Sequence, residues 1–227
     1  MRTIVLCIIF CTLIFSCKPQ SESNTQDVSK SQAEPQKEVQ ISPILKDILE
    51  FAEINTKQNV DINNLLITKA VDSSGNTTPI HIEEAVQLYK DITKSKQVDR
   101  LPVFEILNTD KAILIVTGKG YMDVIWAKIM VDRLKKKILK VAFDHKGESE
   151  GYGASITLGS FENQFQDTDI SFINPTFGLL QGGKNISKGN QQIDGISGAT
   201  ITSLATIEMM NTGLQQYAGY FRKTSNR

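Results

Sequence analysis

Asp194-Gly195-Ile196-Ser197-Gly198-Ala199-Thr200-Ile201-Thr202-Ser203 is the stretch on which the reading of this 227-residue chain turns. Two glycines, an acid and a run of hydroxyls precede a segment whose apolar residues recur at 201, 204, 207, 210, 214, 217 and 221, the three-and-four spacing of one helix face. A glycine-rich turn therefore feeds a helix N-terminus. Such an end leaves backbone N–H groups without intrahelical acceptors and carries partial positive charge, so it favours a phosphate or another anion. Thr200 stands where its hydroxyl could touch that anion. A plainer role is also open, because Ser197, Thr200 and Thr202 are residue types that cap helices.

The decapeptide resembles the flavinylation motif of the FMN-binding domain found in the NqrC component of the Na+-translocating NADH:quinone oxidoreductase (Nqr) and the RnfG component of the Rnf complex. In that family an Asp-Gly-x-Ser/Thr-Gly-Ala-Thr run ends in a threonine esterified to the phosphate of FMN. By position the resemblance implies Thr200 as the attached residue. Asp194, Ser197, Gly198 and Ala199 complete the motif, and Thr202 is grouped with them as a cofactor-binding residue. A phosphodiester at Thr200 would keep one negative charge at the helix start, with small residues letting the backbone approach it. Electron transfer would belong to the isoalloxazine ring, while the protein sets its position and surroundings.

Upstream, His145-Lys146-Gly147-Glu148-Ser149-Glu150-Gly151-Tyr152-Gly153 contains a literal G-x-S-x-G at 147–151. A hydrolase elbow of that form needs a later histidine. None follows Ser149, which excludes it. The segment is similar instead to the His-Gly-Glu-Thr-Pro-Gly-Leu-Gly loop of NqrC, which packs beside the flavin, and Glu148, Gly151 and Gly153 stand at matching places. Ser149, Glu150 and Tyr152 depart from it; losing the proline frees one φ angle, and a tyrosine can stack on a ring where leucine would only cover it. Gly118-Lys119-Gly120-Tyr121-Met122 resembles a family segment Gly-Lys-Gly-Leu-Trp, with the lone tryptophan, Trp126, four residues further on. Its placement against flavin cannot be read from spacing, and core burial is the simpler expectation. The resemblance runs from about residue 100 to 221.

Between these regions the period changes. Val103 to Leu107, Ala112 to Gly118, Val124 to Val131 and Ile138 to Phe143 are rich in Val, Ile and Phe and predict a strand meander, with one more short strand at Ile156 to Leu158. The basic run from Arg133 to Lys137 falls at a turn and reads as a solvated loop. Apolar spacing predicts a helix beginning near Ile44 and another over Glu83 to Lys94, and Asp72 to Asn76 is a turn. Phe177-Gly178 and Gly182-Gly183 read as loop. The fold class is α+β: a mostly antiparallel, twisted sheet flanked by helices in a single FMN-binding domain over residues 41–227.

Basic and acidic residues balance at 25 each, which gives no support for a nucleic-acid partner. The three cysteines, Cys7, Cys11 and Cys17, all precede the domain, so it holds no disulfide or cysteine metal site. Residues 1–16 combine a positive start with a short apolar run, the pattern of a signal peptide. Ser16-Cys17 resembles a lipoprotein processing site, which implies cleavage after Ser16 and a lipid on Cys17; the alternative is an uncleaved signal anchor, with Cys17 an incidental thiol. Residues 17–40 have the composition of a flexible tether. The expected function is a lipid-anchored, extracytoplasmic flavoprotein with covalent FMN on Thr200, serving an Nqr/Rnf-like complex or acting as a stand-alone carrier. Its partners would be the membrane, a flavin transferase for maturation and other redox subunits. The alternative is a surface lipoprotein binding module that kept the fold without the cofactor.

Overall fold

In the computed structural model, which describes residues 41–54 and 61–224, the Val- and Ile-rich middle of the chain forms the strands that its composition predicts. In chain order the elements are α1 (Pro43–Phe51), β1 (Leu66–Asp72), β2 (Thr77–Pro79), α2 (Ile82–Thr93), β3 (Arg100–Ile106), β4 (Lys111–Lys119), β5 (Val124–Asp132) and β6 (Lys137–His145). They are followed by α3 (Gly159–Glu162), β7 (Phe177–Gln181), β8 (Lys184–Ser187), β9 (Gln191–Asp194), α4 (Thr200–Gln216) and α5 (Ala218–Thr224). The expected signal peptide, Cys17 and the tether lie outside the described residues.

Six strands form one sheet in the order β2-β1-β3-β4-β5-β6, every neighbouring pair antiparallel. The architecture is therefore α+β with a mostly antiparallel sheet flanked by helices. Directly opposed residues share a face, so Leu114 and Val116 of β4 lie with Ile129 and Ala127 of β5 and with Val141 and Phe143 of β6. α4 covers that face. It comes so close that a Cβ at Gly213 would strike Val116 and one at Gly118 would strike Met209. The opposite face, with Trp126, Lys128 and Met130, lies under α1 and α2: Lys128 pairs with Asp47 of α1, and the Tyr89 hydroxyl of α2 reaches the same carboxylate at 3.4 Å.

One polar device joins α4 to the sheet centre. Pro102 has no N–H to give, and the β3–β4 ladder ends at Val103↔Leu114. The Tyr217 hydroxyl fills the gap: it accepts from the Ile115 N–H at 3.2 Å and turns its proton toward the carbonyls of Ile115 (2.8 Å) and Pro102 (3.0 Å). Burial pushes this phenol far above its ordinary pKa, so it stays a donor. Three residues on, the Tyr220 hydroxyl donates to buried Glu105 at 2.8 Å, the carboxylate oxygen that Lys69 also contacts at 2.6 Å.

Three expectations need correction, and two strands were missed. Ile156 to Leu158 is not a strand: Gly153–Thr157 is a 3-10 turn, and three apolar-rich residues are too few to distinguish the two by period. Phe177-Gly178 is not loop but the start of β7, which lies between β8 (antiparallel) and β9 (parallel) in a second sheet. Gly182 and Gly183 make the β7–β8 hairpin turn, both at positive φ as such turns require. β1 and β2, flanking the Asp72 to Asn76 turn, were not foreseen. Nor is the basic run uniformly solvated, because Arg133 is half-buried, donates to the Thr109 carbonyl at 2.9 Å and lies 3.7 Å from Glu105.

Replacing Tyr217 with Phe leaves the Ile115 amide without its acceptor in the core, and is expected to cost about 1–3 kcal/mol in urea unfolding. Unchanged stability would show that the hydroxyl does not close the ladder. Glu162 supplies a pH test. Burial raises its carboxyl pKa against the opposing pull of the Phe143 N–H, which it accepts at 2.8 Å, and of Lys128 and Lys140. A raised folded-state pKa means stability that is present in acid and lost as pH rises through it. Glu162→Gln keeps the acceptor without the charge, so it is expected to raise Tm at about pH 7 and to lose that advantage near about pH 4.

Candidate functional site

Three segments meet at the end of the sheet where β4 finishes and β5 begins. The first is the β4–β5 turn, closed by the Gly120 N–H donating to the Asp123 carbonyl at 2.8 Å. The second follows β6, where the Glu148 N–H donates to His145 Nδ1 at 3.2 Å and the Tyr152 and Ala154 amides return to the Ser149 carbonyl. The third runs from β9 into α4. There the Gly195 N–H donates to the Leu180 carbonyl at 2.7 Å, the Ala199 N–H to the Ile196 carbonyl at 3.0 Å, and Gly198 takes a φ of 77°. Gly198 thus supplies the left-handed bend that turns the chain into the helix.

The Glu148 carboxylate joins all three. One oxygen accepts the Met122 N–H at 2.8 Å, and the other accepts the Thr202 hydroxyl at 2.8 Å. Only 6% of the residue is exposed, and no basic side chain pairs with it among the described residues. Its charge is met by an amide, a hydroxyl and the positive end of the α4 macrodipole. Glycine is required beside it: a Cβ at Gly120 would collide with one carboxylate oxygen, and a Cβ at Gly153 with the other and with the Thr202 hydroxyl.

Thr200 is the first residue of α4 and is half-buried. The capping role open to these hydroxyls is not taken. The N-cap residue is Ala199, no side chain caps the helix, and the Thr200 hydroxyl makes no hydrogen bond to another described residue. Thr202 is turned to Glu148. Ser203, fully buried, accepts the Ile196 N–H at 3.0 Å, and Thr206 donates to the Thr202 carbonyl at 2.9 Å. Of the hydroxyls from 197 to 206, only those of Ser197 and Thr200 belong to residues that are not buried. Tyr121, Met122, Tyr152 and Ile201 are each more than half exposed on the same three segments, and the Tyr152 ring lies against Gly198, 2.9 Å from where a Cβ would sit.

The structure thus brings together Thr200, Ser197, Gly198, Ala199, Thr202, Glu148, Tyr152 and Gly153. Asp194 is exposed at the end of β9, where the Gln164 side-chain amide meets both its backbone N–H (2.7 Å) and its carbonyl (3.2 Å). Gly151 bends the loop at a φ of 73° with open space around it. Trp126 belongs to the core on the face under α1 and α2, away from α4, which agrees with the simpler expectation for it. Sequence reasoning quoted Gly120, Met122 and Ser203 within its motifs but gave none of them a site role. The Gly118-x-Gly120 spacing was the visible signal for the first.

The apolar period also misplaced the helix face at its start. Ile201 is 61% exposed, whereas Thr202 and Ser203 are buried. The burial of Ile207, Met210 and Leu214 further along the helix and the polar partners of Thr202 and Ser203 turn it the same way.

Residues 120–215 match the FMN-binding domain family. Among curated proteins, the NqrC component of the Na(+)-translocating NADH-quinone reductase of Chlamydia muridarum (strain MoPn / Nigg) is 26% identical over 157 residues, 61% of this chain. The match takes in 48% of that relative, so the chain spans about half its length. Among solved structures, the same component of the reductase from Parabacteroides distasonis ATCC 8503 is 30% identical with a TM-score of 0.55, over 69% of this chain and 78% of that one. NqrC of Shewanella oneidensis superposes with a TM-score of 0.61 over 80% of this chain and 96% of that one; at 17% identity it bears on the fold alone.

Adding a methyl group at Gly153 would push on a buried carboxylate and its hydroxyl partner at once. Gly153→Ala is expected to lower stability by about 1–3 kcal/mol, read from thermal unfolding. A wild-type Tm would mean that Glu148 is free to move away.

Proposed function

Since the chain belongs to the FMN-binding domain family that includes the NqrC component of the Na(+)-translocating NADH-quinone reductase, we propose that it carries FMN bonded through its phosphate to the oxygen of Thr200 and relays electrons through it. The observation that carries this reading is the state of Thr200: a hydroxyl without a hydrogen-bond partner among the described residues, on the first residue of a helix that no side chain caps. The residues fit such a group. First-turn amides of α4 favour the phosphate charge, the small Gly198 and Ala199 leave room for it to approach the backbone, and the exposed side chains of Tyr121, Met122, Tyr152 and Ile201 offer apolar surface to a flat ring. When bound, the flavin supplies one- and two-electron chemistry that no side chain here can supply.

Attachment joins Thr200 Oγ1 to the FMN phosphorus, breaks the pyrophosphate bond of FAD, and releases AMP and the hydroxyl proton. Among the described residues no side chain is hydrogen-bonded to Thr200 to take that proton, which supports a separate flavin transferase as the catalyst. The sequence of residues 1–17 supports export and a lipid on Cys17, and residues 17–40 would tether the domain outside the cytoplasmic membrane. Electrons would pass to and from other redox subunits, either in an Nqr- or Rnf-like complex or in another chain. The exposed apolar rim is compatible with such docking.

Protein co-produced with a flavin transferase is expected to show flavin fluorescence that survives a denaturing gel, and Thr200→Ala is expected to abolish it. Losing the hydroxyl there should cost no more than about 1 kcal/mol of stability, since it caps nothing. Fluorescence that persists in the Thr200→Ala band would sink the assignment. A wild-type protein that takes up no flavin would favour the cofactor-free binding module.

A further inference from the structure

Thr200 and Thr202 are the same nucleophile two residues apart, with Ser197 and Ser203 on either side. Chemistry alone does not select among them. On a helix two residues are separated by about 200° of rotation, so whichever threonine faces solvent, the other faces the protein. The rotation of the first turn of α4 therefore decides which oxygen can be reached.

The packed remainder of α4 buries Ile207, Met210 and Leu214, and at about 100° per residue this turns Ser203 inward and Ile201 outward; Ile201 is accordingly 61% exposed and Thr202 3% exposed. Helix ends fray, so the first turn needs a tie to keep that rotation. Thr202 is tied by the Glu148 carboxylate, at 2.8 Å from its hydroxyl. Glu148 is itself fixed from the sheet side by the Met122 amide at 2.8 Å and by its own N–H on His145 Nδ1, and it is walled in by Gly120 and Gly153. Both carboxylate oxygens are engaged and the residue is buried, so it is not placed to touch a ligand at Thr200.

We propose that Glu148 is a positioning residue: by holding the Thr202 hydroxyl it keeps the first turn of α4 in the rotation that the packed remainder of the helix dictates, presents Thr200 as the acceptor and withdraws Thr202 from competition. This rests on the reading of Thr200 as the FMN attachment point. Ser203 adds a second tie in the same sense through the Ile196 amide. A carboxylate beside a threonine hydroxyl also has the form of a base activating a nucleophile, but burial of Thr202 argues against that role here.

The test is peptide mass spectrometry of the flavin position, with timed labelling by a flavin transferase and FAD, on full-length wild type, Glu148→Ala and Glu148→Gln. Circular dichroism establishes that each protein is folded at the assay temperature. Glutamine can still accept the Met122 N–H and donate to Thr202 Oγ1, so it is expected to label at Thr200 within about twofold of wild type. Alanine releases the turn and is expected to slow labelling at Thr200 by about tenfold or more, with flavin appearing on Thr202 or not at all. Glu148→Ala labelled at Thr200 at the wild-type rate overturns the proposal. So does a Glu148→Gln protein as slow as the alanine variant, which would make charge rather than geometry the cause.

If Glu148→Ala does not fold, Thr202→Val carries the test, because it removes the held hydroxyl at nearly constant volume. It is expected to slow labelling at Thr200 by about threefold. Wild-type labelling of that variant overturns the proposal. A wild-type protein that never acquires flavin at Thr200 gives a different pattern, and overturns the reading beneath it.

Discussion

A carboxylate taken out of water must have its oxygens met, or it costs several kcal/mol. At Glu148 this requirement draws together chain segments at 122, 148 and 202 that have little else in common. The two glycines at 120 and 153 leave the space in which the group sits, and the helix start behind Thr202 supplies favourable potential. Removing any one partner strands the others. The end of the sheet carrying the candidate site therefore behaves as one unit, although its parts come from two loops and a helix separated by up to 80 residues of sequence.

The central strands were legible because β4 and β5 are buried on both faces over most of their length and are rich in Val and Ile. β1 was not, because its inward positions carry polar groups with work to do: Thr68 donates to the Ile80 carbonyl at 2.8 Å and Lys69 reaches Glu105. The second sheet was hidden for another reason. Its strands run four or five residues and its glycine pair looks like loop until both are seen at positive φ. At the site, residue types told where an anion could lie, and family resemblance added the ring and the attached threonine. What no spacing could reveal was the Glu148 to Thr202 bond across 54 residues.

α4 serves two ends at once. Its last turns are core, with Met210, Leu214 and the neighbouring Tyr217 almost fully buried against the sheet, while its first residue stays half-open beside exposed Tyr152 and Ile201. The packed end gives the open end a fixed platform. A cofactor tied to the first residue would inherit the rigidity of the core without being buried in it.

The phenol of Tyr217 mends a gap between strands that were synthesised more than a hundred residues earlier, and Tyr220 does the same for the acid at position 105. Until the ribosome has delivered those last tyrosines, the middle of the sheet lacks a rung and a buried carboxylate lacks a partner. Contacts this distant along the chain close late and slowly. The threonine at the head of α4 thus takes up its presented position only after the segment through Tyr220 has docked on the sheet, so that any enzyme recognising the folded surface acts after that closure.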